Sequence, residues 1–80
     1  MELTLIPKTR AGRNKLANLQ LASRDWNGRW VVDRKQDAVN FAPGKRGPWL
    51  LVEPTFGVRG QRACWVHATD DENFTVQPNA

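Results

Sequence analysis

Trp26-Asn27-Gly28-Arg29-Trp30-Val31-Val32-Asp33 is the stretch on which the fold turns. Asn27 and Gly28 both tolerate positive φ, and such a pair between apolar runs predicts a reversal of the chain in a two-residue hairpin turn. Beyond it, Trp30 and Val32 fall on one face of an extended segment, residues 29–33. Residues 37–41 repeat the alternation with Val39 and Phe41, and Arg34, Lys35 and Gln36 lie between the two runs. The pattern predicts a second hairpin.

Working outward, residues 49–52 are apolar on both faces, as in a central strand, and Pro54 limits their extension. Residues 2–6 alternate Leu3 and Leu5 with polar neighbours, and Pro7 removes a donor, which predicts a short edge strand. A turn at 57–60 leads to a strand over 62–67. The polar corner Asp70-Asp71-Glu72-Asn73 precedes a last short strand carrying Phe74 and Val76, and the tail from Pro78 is expected to fray. Residues 9–14, with Gly12, have turn composition. Leu16, Ala17 and Leu19 leave room for one short helix near residues 14–22. Five or six short strands make the chain mainly β: a small SH3-like barrel or a strongly twisted antiparallel sheet, with an OB-type barrel as the other closed form.

The chain has 80 residues, and residues 1–80 suit one small domain with no room for a second core. So small a domain hides only about 60% of its unfolded surface, so a few large side chains must anchor it. Four Trp and three Phe are available. Trp30 and Trp65 lie inside apolar runs and are expected in the interior. Trp26 and Trp49 border the Asn27-Gly28 turn and the Gly/Pro loop 42–48, where they either cap the core or remain exposed to stack on a base or anchor a partner.

The longest apolar stretch, Trp49-Leu50-Leu51-Val52, is far short of the roughly 18 residues that span a bilayer. The N-terminus carries no signal-peptide pattern, and the lone Cys64 cannot form an internal disulfide. Both point to a reducing, cytoplasmic setting and to no membrane partner.

Catalytic chemistry finds little material. Cys64 and His67 are three apart, and on a strand they project from opposite faces, so thiol and imidazole cannot meet. Ser23 with a single histidine does not supply a hydrolytic triad. Two Cys/His ligands on opposite faces exclude a structural zinc site within one chain, and the acidic corner lacks the spacing of a calcium loop. Gly44-Lys45-Arg46-Gly47 lacks the spacing of a phosphate loop. Asp33, Asp37 and Glu53 carry no mark of paired acid–base carboxylates. The expectation is therefore no enzyme, no metal and no cofactor.

What remains is charge. The net charge is +4, and residues 1–40 hold eight Lys/Arg against four acids while residues 41–80 hold four against four. Lys8, Arg10, Arg13 and Lys15 cluster with no acid among them, and Lys45 and Arg46 add a basic loop. With Trp26 and Trp49 as stacking or partner anchors, these six cations outline a strip for phosphates, or else an ordinary solvated surface.

Three segments also carry a likeness: residues 6–16 (Ile-Pro-Lys-Thr-Arg-Ala-Gly-Arg-Asn-Lys-Leu), Arg29-Trp30-Val31-Val32, and Cys64-Trp65-Val66 together with residues 71–76. In these the chain resembles small uncharacterised proteins of bacteriophages and prophages, from which it departs by a longer leucine-rich segment between Asn14 and Trp26. The resemblance implies a cytoplasmic accessory protein of a bacterial host and transfers no active-site residues. The expected function is a non-enzymatic binding module that contacts DNA, RNA or a nucleoprotein through its basic N-terminal segment. The alternative is a protein-interaction factor acting on a host protein through exposed Trp and Arg. Oligomeric state is left open.

Overall fold

In the computed structural model, which describes residues 1–79, five strands and one helix follow the order β1 (Glu2–Pro7), α1 (Arg10–Ala22), β2 (Arg29–Gln36), β3 (Trp49–Pro54), β4 (Cys64–His67) and β5 (Phe74–Pro78). The strands form one antiparallel sheet in the order β4-β3-β2-β1-β5. The chain is mainly β, as its alternation requires. Among the described residues β4 and β5 share no ladder, so they are the two edges of an open hydrogen-bonded sheet.

The first strand is not an edge. β1 pairs with both β2 and β5, and Pro7 is tolerated because it sits at the end of the ladder, opposite Phe74. The tail is tied down as well, with Pro78 opposite Leu3 and the Asn79 N–H donating to Glu2 O at 3.1 Å.

Neither expected hairpin forms. Asn27-Gly28 ends the connection from α1 and launches β2 through an Asx turn, in which the Arg29 N–H donates to Asn27 Oδ1 at 3.1 Å. Gly28 takes φ +79°, the left-handed conformation that made the pair look like a hairpin. β2 then runs on through Arg34, Lys35 and Gln36, with a register shift between Val32 and Arg34, because β3 supplies partners for all three. Residues 37–48 are a long loop, not a strand.

Helix α1 starts earlier than the apolar spacing implies. Thr9 is its N-cap, accepting the Gly12 N–H at 3.1 Å and donating to Asn73 Oδ1 at 2.7 Å. Gly12, which gave the segment its turn character, is buried where the helix crosses the start of β5. A Cβ there would lie 2.6 Å from Asn73 O. Leu19 packs with Leu3, Leu5, Trp30, Leu50, Val52, Val66 and Phe74. Trp30 is fully buried, and truncating so large a core side chain typically costs about 3–5 kcal/mol.

Candidate nucleic-acid interface

Of the two alternatives the sequence leaves for Trp26 and Trp49, capping the core is the one that holds. Trp26 is 7% and Trp49 5% exposed, so neither offers a free face for stacking. Each indole N–H is also satisfied internally, Trp26 donating to Arg29 O and Trp49 to Lys45 O, both at 2.9 Å. Trp26 lies edge-on to Trp30 and Phe56, with ring centroids 5.6 and 5.5 Å away. Trp65, expected inside, is only half-buried, and Phe41 is 64% exposed in the 37–48 loop, 5.3 Å from Trp49. Phe41 and Trp65, which the sequence had assigned to apolar strand runs, are thus accessible, and Phe56 is partly buried beneath Arg62.

The cations also separate into groups. Lys8 and Arg10 are exposed at the start of α1, and Arg13 lies one turn on. At about 100° per residue, Arg10 and Arg13 share the outer face, whereas Lys15 lies about 160° round the helix from Arg13. Lys15 instead turns toward the sheet and lies beside the Cys64 thiol. One continuous strip of Lys8, Arg10, Arg13 and Lys15 does not exist.

Lys45 and Arg46 are not free. The Lys45 ammonium is 3.4 Å from the Asp70 carboxylate, donates to Asp70 O, and sits 5.8 Å from the centre of the Trp49 ring. Arg46 pairs with Asp37 at 2.7 Å. By contrast, no carboxylate among the described residues lies within ion-pair distance of Lys8, Arg10, Arg13 or Lys15. Helix α1 has no acid in its first turn, where the backbone dipole places partial positive charge. Arg10 and Arg13 therefore oppose the helix dipole instead of complementing it, and their positions are not explained by helix stability.

Two hollows flank Lys15. An open groove of about 740 Å³ runs between α1 and the β3–β4 connection, lined by Asn14, Asn18, Lys15, Gln61 and Arg62. Arg62 is itself seated 5.0 Å from the centre of the Phe56 ring. A more enclosed cleft of about 390 Å³ lies between β4 and the start of β5, where Lys15, Lys45, Phe41, Trp65 and Glu72 meet. Lys15 lines both.

No family model, curated protein or solved structure matches this chain. Its chemistry must therefore be judged from its own side chains. Burial pushes the Cys64 thiol up from its usual range, and the Lys15 ammonium pulls it only partly back, so the sulfur is held as a weakly reactive thiol. His67 is 4% exposed. Its Nδ1 accepts the Asp70 N–H at 2.9 Å, and its Nε2 donates to Arg46 O at 2.7 Å, which occupies both ring nitrogens. Strand β4 separates the two residues as their spacing requires. Among the described residues no cluster of three metal-ligating groups occurs. No helix is long and apolar enough to cross a membrane.

The acidic corner is more than a solvated turn. Asp71 is 9% exposed, and its carboxylate accepts three main-chain N–H groups, those of His67, Asn73 and Phe74, at 2.9, 3.0 and 3.0 Å. Glu53 is likewise buried on β3, accepting the Gly60 N–H and lying 3.6 Å from Arg59, which also pairs with Asp33 at 2.6 Å. These carboxylates fix the loops that carry Arg62 and Glu72, and so shape both hollows.

Proposed function

We propose that this protein is a non-enzymatic accessory module that binds nucleic acid through the exposed cations at the start of α1. Lys8, Arg10 and Arg13 carry the reading: they are the cations that have no carboxylate partner and that also oppose the helix dipole. A polyanion relieves both conditions at once, releasing its own counterions as it does so. Lys15, on the other side of the helix, supplies a separate cation at the cleft. Lys45 and Arg46 contribute less, since each is already compensated. The phage or prophage likeness of the N-terminal segment fits a small module of this kind working in a bacterial cytoplasm.

The protein-interaction reading relied on exposed Trp and Arg; Trp26 and Trp49 are buried, which leaves that reading its arginines. The deciding measurement is the anisotropy of labelled DNA and RNA across a salt series. Affinity should fall steeply with salt, and the variant Lys8→Gln/Arg10→Gln/Arg13→Gln should lose most of it while keeping its circular dichroism spectrum. Absence of binding to any DNA or RNA at low salt, together with capture of a bacterial protein after nuclease treatment, would replace this reading with that of a protein-binding factor.

A further inference from the structure

We infer that the nucleic acid is single-stranded and that one of its bases enters the cleft between β4 and β5, stacking on Phe41 while Lys15 holds the adjoining phosphate. This deepens the nucleic-acid reading and rests on it. The cleft exists because the two edge strands do not pair, and at about 390 Å³ it falls in the lower part of the range of small-ligand sites, about 300–1,000 Å³. That is space for a single nucleotide and not for a duplex.

Its walls match a base and a phosphate in different places. Phe41 is a large aromatic ring left 64% exposed, although an apolar partner, Trp49, stands beside it. Trp65 lines the same cleft and remains half-buried. Aromatic rings that line a cleft without being covered are the feature that single-strand binders use for stacking, independently of base identity. Lys15 reaches the cleft from α1 with no carboxylate within ion-pair distance among the described residues, and it also lines the groove on its other side. Of the two carboxylates in the cleft, Asp71 is saturated by main-chain donors, and Glu72 is exposed. Glu72 repels a phosphate from its own side, which places the phosphate at the Lys15 end. Lys45, held by Asp70, closes the remaining side.

The test compares a single strand of about twelve thymidylates, within the span that small single-strand-binding domains cover, with an abasic strand carrying the same number of phosphates. Stacking predicts that the wild-type chain binds the base-bearing strand about tenfold more tightly than the abasic one, and either strand more tightly per phosphate than a duplex. Phe41→Ala removes an exposed side chain, so the fold should survive; it should abolish the tenfold advantage and leave abasic-strand affinity unchanged. Lys15→Gln should weaken both strands. Equal affinity for the two strands, an advantage that persists in Phe41→Ala, or a preference for duplex overturns the cleft proposal and leaves the electrostatic reading standing. Failure to bind any of the three at low salt overturns both.

Discussion

The Asp71 carboxylate receives the main-chain N–H of His67 at 2.9 Å, joining the last residue of β4 to the corner that turns into β5. Its second oxygen takes the N–H groups of Asn73 and Phe74. Two edge strands that form no ladder with each other are thus held together by one buried side chain. Hydrogen bonds to a charged acceptor contribute about 1.5–3 kcal/mol each at most, and buried donors left unpaired cost a similar amount. Asp71→Ala should therefore lower the unfolding free energy by about 3 kcal/mol, a large share of the roughly 5–15 kcal/mol that such a domain possesses. Asp71→Asn keeps one acceptor oxygen and should lose about half as much. Urea midpoints of the two variants check the order, and an Asn variant as unstable as the Ala variant would contradict it.

Gly12 gives a substitution whose sign is the reverse of the usual one. In an exposed helix Gly→Ala stabilises by about 1 kcal/mol through backbone entropy and propensity. Here the added methyl would sit 2.6 Å from Asn73 O and 3.3 Å from the Phe74 ring. Since Asn73 also accepts from the Thr9 cap, the helix cannot shift without loosening its own N-terminus. Gly12→Ala should destabilise by about 1–3 kcal/mol, the range for overpacking. Thermal unfolding of this variant beside Ala17→Gly, an exposed helical position, separates packing from propensity.

The same glycine shows why part of the fold was legible in the sequence and part was not. Period-two spacing located β1 and β5, and a run apolar on both faces located β3, because each turns apolar side chains toward one core, with Leu3, Leu5, Val52 and Phe74 all inside. Helix α1 was placed too late because Gly12 is read as a turn former, whereas its smallness serves a helix–strand crossing that only the folded chain creates. Asn27-Gly28 supplies the positive φ it promises, but local sequence cannot tell a hairpin from a turn that merely starts a strand. The sequence left Trp26 and Trp49 open between capping the core and standing exposed for a similar reason: proximity to a loop says nothing of whether that loop folds back over the ring, as residues 45–49 do through Lys45 O. For the site, the cations were visible, yet not their sorting. Asp70 and Asp37 lie far from Lys45 and Arg46 or are separated from them by a loop in the sequence, and only the fold brings each pair together. Phe41 and Trp65 carried no separate signal, because an exposed aromatic and a core aromatic look alike in one sequence.

Cys64 predicts the direction of an alkaline pH effect. Its thiol is raised chiefly by burial, so the folded chain keeps the proton at a pH where the unfolded chain, titrating near about 8.5, has already lost it. The unfolded state then binds fewer protons than the native state, and stability falls as pH rises through that window. This contribution is fully present below the unfolded value and is lost toward the raised native one. Urea midpoints between neutral pH and about pH 10, below the ordinary lysine range, should decline more in the wild type than in Cys64→Ala. The rate of alkylation of the folded protein should also inflect at higher pH than that of the denatured chain. An inflection at or below the denatured value would show that the Lys15 ammonium outweighs burial.

Charge compensation separates the basic residues into those that should govern polyanion affinity and those that should not. A cation paired with a carboxylate presents little net charge at a distance, even where the pair adds almost nothing to stability. Lys45 with Asp70 and Arg46 with Asp37 are of this kind. Arg10 and Arg13 are unpaired among the described residues and stand together on the outer face of α1. For a single strand, each phosphate contact contributes about 0.7 to the slope of log affinity against log salt. Arg10→Gln/Arg13→Gln should therefore flatten that slope by about 1.4, whereas Lys45→Gln/Arg46→Gln should change it by clearly less. Both doubles remove two positive charges, so net charge alone predicts equal effects. Equal slopes would mean that the ion pairs open on binding, and would return Lys45 and Arg46 to the interface.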